Sequence, residues 1–184
     1  RKWSNYVRGV VKFIQESGIE LKGANIVLHG NVPLASGLSS SAALEMATGA
    51  LFQALTDFEM SGPDMALVGQ KAENKWIGVN CGIMDQMISA SGHEGHAMLL
   101  DCRSLEREMV PLPSGTAVVI LDTSTRRGLV DSAYNERRAC CEAAAETFQV
   151  KALRDVDSAT LETKKDLLDE TTYRRARHVI TENA

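Results

Sequence analysis

The stretch Pro33–Ala43, P-L-A-S-G-L-S-S-S-A-A, sets Gly37 and the three consecutive serines Ser39, Ser40 and Ser41 directly ahead of an apolar helical pattern. Before it, Ala24–Asn31 carries the short apolar run Ile26, Val27, Leu28, which predicts a strand. After it, Leu44, Ala47, Leu51, Ala54 and Leu55 recur at helical spacing and predict a helix with that face inward. Strand, tight polar loop and helix in that order gather unpaired backbone N–H groups and the positive end of a helix dipole at one point. Such a point suits a phosphate group.

The loop is not of the Walker type, which needs G-x-x-x-x-G-K-[ST] with a lysine on the outer phosphates. No lysine lies between Gly23 and Lys71. Any phosphate charge here is met by backbone amides, by the serine hydroxyls and by a metal ion that a hydroxyl helps to hold. The plainer alternative is a serine-capped helix, the cap contributing about 0.5 to 2 kcal/mol. Gly37, free to take positive φ or admit a close ligand, and three serines exceed what a cap requires. On local chemistry both readings stand.

The same stretch resembles the second motif of the GHMP small-molecule kinases, and G-L-S-S-S-A-A is closest to the galactokinase version. Arg1–Val10 (R-K-W-S-N-Y-V-R-G-V), Cys81–Gln86 (C-G-I-M-D-Q), Ser132–Arg138 (S-A-Y-N-E-R-R) and Arg174–Asn183 (R-R-A-R-H-V-I-T-E-N) are similar to galactokinase segments in the same order. The resemblance implies an α+β GHMP kinase fold, with 1–115 forming part of a two-layer, ATP-binding N-terminal domain and 116–184 the start of a second α+β domain. It further implies that the chain is a central piece of a longer enzyme. Galactokinases carry an upstream motif that supplies sugar-binding acids and a catalytic arginine, and a downstream glycine-rich motif, and neither is found here. The piece alone is then expected to be inactive.

Composition sets outer limits. The chain has 184 residues, 44% hydrophobic and 24% charged, as in ordinary soluble globular domains. A net charge of −4 argues against general nucleic-acid affinity, so a phosphate site must be local. No apolar run reaches membrane-spanning length, and Arg1-Lys2-Trp3 is not followed by a signal-peptide core. Cys81, Cys102, Cys140 and Cys141 show no metal-ligand spacing and read as reduced thiols of a cytoplasmic protein.

Elsewhere the residue chemistry leaves alternatives that the resemblance narrows. Trp3, Tyr6, Val7, Val10, Val11 and Ile14 predict an amphipathic helix ending near Gly18, its aromatics facing the core. In galactokinases the matching aromatics lie against adenine, which implies nucleotide contacts for Trp3 and Tyr6 beside those of Gly37, Leu38, Ser39, Ser40, Ser41 and Ala42. Ser61 and Pro63 open a further helix. Near its end Glu73, flanked by Lys71 and Lys75, reads as a solvated charge. The resemblance implies otherwise: the matching glutamate lies twelve positions before the catalytic aspartate, as Glu73 does before Asp85, and holds Mg²⁺ with a loop serine, here Ser41 or Ser40.

By local sequence Asp85 is a helix-start acid favoured by the dipole. The resemblance implies a catalytic carboxylate at the sugar hydroxyl, with Gly82 letting the backbone approach the sugar. Tyr134 reads as an aromatic anchor at a helix start, and by resemblance as a sugar contact. His96–Asp101, Glu106–Leu112 and Ala117–Asp122 predict strands, the last apolar enough for burial on both faces. His93 and His96 read as a hairpin tip rather than a metal pair. In Asp122–Gly128 the chain departs from the family, with Arg127-Gly128 where many galactokinases have a histidine before the leucine matching Leu129. Ala139, Ala143, Ala144 and Phe148 predict a packing face. Arg174, Arg175, Arg177 and His178 predict a solvated or interdomain basic face.

The implied activity is ATP-dependent phosphorylation of galactose at its anomeric hydroxyl. Its rivals are a kinase for N-acetylgalactosamine or another sugar, and a non-catalytic sugar sensor of the galactokinase type.

Overall fold

A computed structural model describes residues 3–121 and 132–183, the side chain of 132 excepted. It forms two compact units, 1–130 and 131–184.

In the first unit, α1 (Ser4–Glu16), α2 (Ser40–Thr56), α3 (Gly62–Lys71), a π-helical turn (Ala72–Ile77) and α4 (Met84–Ser91) precede an antiparallel hairpin of β1 (His96–Leu100) and β2 (Arg107–Pro111). α1 buries Tyr6, Val10, Phe13 and Ile14 and stops at Ser17, whose hydroxyl donates to the Ile14 carbonyl at 2.6 Å. α3 starts as its sequence predicts: the Ser61 hydroxyl accepts from the Asp64 amide, and Pro63 occupies the first turn. Val10, Phe13 and Ile14 meet Met46, Met65 and Ala72 in one core cluster. Ala66, Ile83 and Met87 form another, covered by Met98, Leu100 and Leu105 from the hairpin region. The hairpin register pairs Met98 with Met109 and confirms the first two predicted strands.

Two other predicted strands are absent. Residues 24–31 form no strand, and Val27 is 97% exposed. Residues 117–121 form none either, and Val118, Val119, Ile120 and Leu121 are exposed rather than buried on both faces. A strand exists through ladder bonds to a neighbour, and among the described residues only β1 and β2 pair. The apolar runs are real, but nothing described here lies alongside to complete them.

The inward face of α2 also departs from expectation. Ala42, Glu45, Met46, Thr48, Gly49 and Phe52 are buried, whereas Ala47, Ala54 and Leu55 are exposed. Glu45 and Thr48 disguise the buried stripe as polar, so the apolar periodicity points about one residue away from it.

In the second unit, α5 (Ser132–Phe148), α6 (Ser158–Thr163) and α7 (Glu170–Glu182) enclose Ala144, Ala145, Phe148, Leu153, Leu161, Ala176 and Ile180. Ala139 and Ala143 of the predicted packing face are exposed, Ala145 taking their place. Arg174, Arg177 and His178 are exposed, as expected for a solvated face. Arg175 is partly buried and donates to Cys140 Sγ at 3.1 Å. Asp122–Gly128, Leu129 and Asp131 lie outside the described residues.

Candidate active site

The serine loop takes a backbone shape that ordinary residues avoid. Ala35, Gly37 and Ser39 all have positive φ, at 57°, 79° and 58°. For alanine and serine this left-handed conformation costs about 1 to 2 kcal/mol each, so it persists only where surrounding structure imposes it. Alternation of left- and right-handed residues is the backbone pattern by which successive main-chain amides form anion-binding concavities. Ser39 stands at the N-cap of α2 and makes no side-chain capping bond. The plain capping role is thus not the one its hydroxyl performs. Ser40, Ser41 and Ala42 form the first turn of α2, where the helix dipole is positive.

One turn below Ser41, Glu45 points inward and is fully buried. It belongs to a polar cluster drawn from three elements. Gln86 Nε2, from α4, donates at 3.1 Å to Glu45 Oε2 and at 3.1 Å to Glu73 Oε2. Glu73 comes from the π-helical turn and is 6% exposed. Cys81 Sγ lies 3.8 Å from Gln86 Nε2, and its thiol donates to Asn74 Oδ1 at 3.4 Å. Burial, together with the neighbouring Glu73, pushes the Glu45 carboxyl up to about 9. The same causes raise the Cys81 thiol well above its ordinary value, making it a poor nucleophile. Burial, with the charges of Glu73, Glu45 and Cys81, pushes the Tyr6 phenol up to about 12.

Glu73 is therefore not the solvated charge its lysine neighbours suggest. Lys71 turns away to Glu16 Oε2 at 3.1 Å and over the Phe13 ring, while Glu73 turns in. A π-turn is wider than an α-turn, and such turns are frequent at functional sites.

Asp85 sits in the first turn of α4, partly buried and adjacent in sequence to Gln86. Gly82 is exposed just ahead of that helix. Tyr6 lies on the buried face of α1, whereas Trp3 is 48% exposed. Tyr134, in the first turn of α5, is exposed and belongs to the second unit. His93 and His96 make an edge-on ring contact at the start of the hairpin, with His96 Nδ1 2.8 Å from the Glu94 carbonyl.

Residues 5–93, which hold the serine loop, Glu73 and Asp85, match the model of the GHMP kinases N terminal domain. Residues 5–93 belong to the GHMP kinase family. The crystal structure of Lactococcus lactis galactokinase complexed with galactose matches it with a TM-score of 0.88 and 37% sequence identity. That likeness covers 98% of this chain, which spans 48% of the galactokinase's length. The GHMP kinase fold is thus shared well beyond the residues of the N-terminal model.

Ser41 and Glu73 supply oxygen donors of the hard kind that a divalent cation takes. Among the described residues no three His, Cys, Asp or Glu side chains converge on one point. Mg²⁺ does not require such a cage, since it commonly takes one or two carboxylates and fills its shell with phosphate oxygens and water. Glu73 offers a carboxylate, and Ser41 a hydroxyl on the first turn of α2.

Glu45 and Gln86 were not singled out by sequence. One signal for Glu45 was available: it is the only charged residue in α2, so it has no basic partner three or four positions away on that helix. Gln86, next to an aspartate at a helix start, carries no comparable mark.

Proposed function

We propose that the protein carrying this chain is an ATP-dependent sugar kinase of the cytoplasm, transferring the γ-phosphoryl group to the anomeric hydroxyl of galactose to give galactose 1-phosphate. The observation that carries the reading is the strained loop at 35–39, running into the amino end of α2 with an uncapped serine. The choice of galactose leans on the likeness to a galactokinase solved with that sugar.

In this reading the amides and hydroxyls from Gly37 to Ala42 grip the nucleotide phosphates, and the α2 dipole favours their charge. Ser41 and Glu73 hold Mg²⁺, which when bound neutralises phosphate charge. Asp85 orients the anomeric hydroxyl and accepts its proton late in the transfer. A weak base suffices because the transition state is loose and the oxygen becomes acidic only as its bond to phosphorus forms. Gly82 lets the main chain approach the sugar. Trp3 and Tyr6 as adenine contacts, and Tyr134 as a sugar contact, rest on the resemblance alone.

The test is coupled ADP release by the full-length protein with a panel of sugars. The reading expects ADP release with galactose well above that with other hexoses. No ADP with any sugar points to a sensor, and preference for an acetamido sugar removes the galactose assignment.

A further inference from the structure

Gln86 is fully buried, and its amide nitrogen donates to carboxyl groups on two other elements. One partner, Glu73, is the glutamate read above as a cation ligand. The other, Glu45, sits one turn below Ser41 on the helix that carries the phosphate loop.

As a packing device this arrangement is expensive. Two buried carboxyls and an amide incur desolvation that an apolar trio of similar volume would avoid. The cluster is not even fully satisfied, since Glu45 Oε1 and Gln86 Oε1 have no hydrogen-bond partner. The surrounding backbone also makes room for it. A Cβ on Gly69 of α3 would lie 3.1 Å from Gln86 Cγ and 3.2 Å from Glu45 Oε2, so the helix approaches closely only because position 69 has no side chain. Buried polar groups left without a partner call for an explanation, a role at a functional site among them.

We propose that Gln86 is a positioning residue: by bridging Glu45 and Glu73 it fixes the Glu73 carboxylate so that the carboxylate meets a divalent cation in one orientation. This rests on the reading of Glu73 as a ligand of the nucleotide's cation. A carboxylate on a flexible stem adopts several rotamers, and a cation must wait for the right one. Tying one oxygen to an amide that is itself tied to α2 removes that freedom before the cation arrives. The bridge also links α4, on which Asp85 directly precedes Gln86, to the helix of the phosphate loop. Hydrogen-bond partners that stand behind metal ligands typically contribute 10- to 100-fold in metal affinity.

The experiment is calorimetric titration of a non-hydrolysable ATP analogue into the full-length protein, with and without Mg²⁺, for wild type, Gln86→Met and Glu73→Ala. Methionine nearly matches glutamine in volume and donates nothing. The proposal expects Gln86→Met to leave metal-free affinity within about 2-fold and to reduce the Mg²⁺-dependent gain by about 10-fold. Should Gln86→Met fail to fold, Gln86→Asn, too short to reach both glutamates, is read in the same way. An unchanged Mg²⁺ gain overturns the proposal, and so does an equal loss with and without metal, which marks a general packing role. If wild type shows no Mg²⁺ gain, or Glu73→Ala retains it, the reading of Glu73 itself has failed and the bridge's role falls with it.

Discussion

Ser41 and Glu45 stand one helical turn apart on α2, the serine in its first turn behind the loop of left-handed residues and the glutamate wholly buried beneath it. One helix thus carries both the first turn of the proposed phosphate grip and a member of the carboxyl cluster. Each element of the account can be changed separately.

Asp85→Asn keeps the size and the hydrogen-bonding ability of the side chain but cannot take the hydroxyl proton. Turnover of the full-length enzyme should fall by about 10² to 10⁴-fold, with the KM for ATP nearly unchanged. Steady-state kinetics decides it, and full turnover by the variant removes Asp85 from the chemistry.

Gly37→Ala isolates the cost of backbone conformation. A Cβ there meets nothing within 4 Å, yet φ is +79°. The strain of about 1 to 2 kcal/mol should reshape the loop and raise the KM for ATP by about 10-fold, while the melting temperature hardly moves. An unaltered KM would mean that the loop's shape is irrelevant to the nucleotide.

How much of this was legible in the chain differs from residue to residue. The loop could be read because Gly37 and Ser39–Ser41 are unusual together, and its left-handed backbone agrees with that reading. The Ser61 cap and the hairpin were legible for the same reason, since their determinants are local. Residues 24–31 and 117–121 were misread because a strand is a property of a pair, and periodicity reports only one member. The buried side of α2 was missed because Glu45 and Thr48 lie on it, and local sequence alone reads Glu73 as a surface charge because Lys71 and Lys75 flank it, so only the family resemblance pointed to its inward turn. Polar residues that are buried for chemistry are those that hydrophobic patterning assigns to solvent.

Glu45 gives the fold a dependence on pH. Its folded-state carboxyl is held up near 9, from an ordinary value of 4.5. Between those values the unfolded chain has released this proton and the folded chain has kept it, so the contribution is fully present below about pH 4.5 and is lost as pH rises toward 9. Glu45→Gln removes the proton exchange and keeps an acceptor for Gln86. Thermal melts should show the variant gaining on wild type steadily from pH 5 to pH 9. A constant difference across that range would mean that Glu45 does not titrate as described.

Gly69→Ala tests the packing behind the carboxylate cluster. The added methyl would stand 2.5 Å from Met46 Cε as well as close to Gln86 and Glu45. Overpacking of this kind costs about 1 to 3 kcal/mol, of which a swing of the Met46 methyl and the better helix propensity of alanine recover about 1 kcal/mol. Denaturant unfolding should register that loss, and a variant as stable as wild type would show that α3 has room to move away.

The most direct test of the central claim is a crystal structure of the full-length protein with Mg²⁺ and a non-hydrolysable ATP analogue. Phosphate oxygens are expected within about 3 Å of main-chain nitrogens between Gly37 and Ala42, with the cation on Glu73. A triphosphate bound away from that loop, or a cation that leaves Glu73 untouched, would contradict that claim.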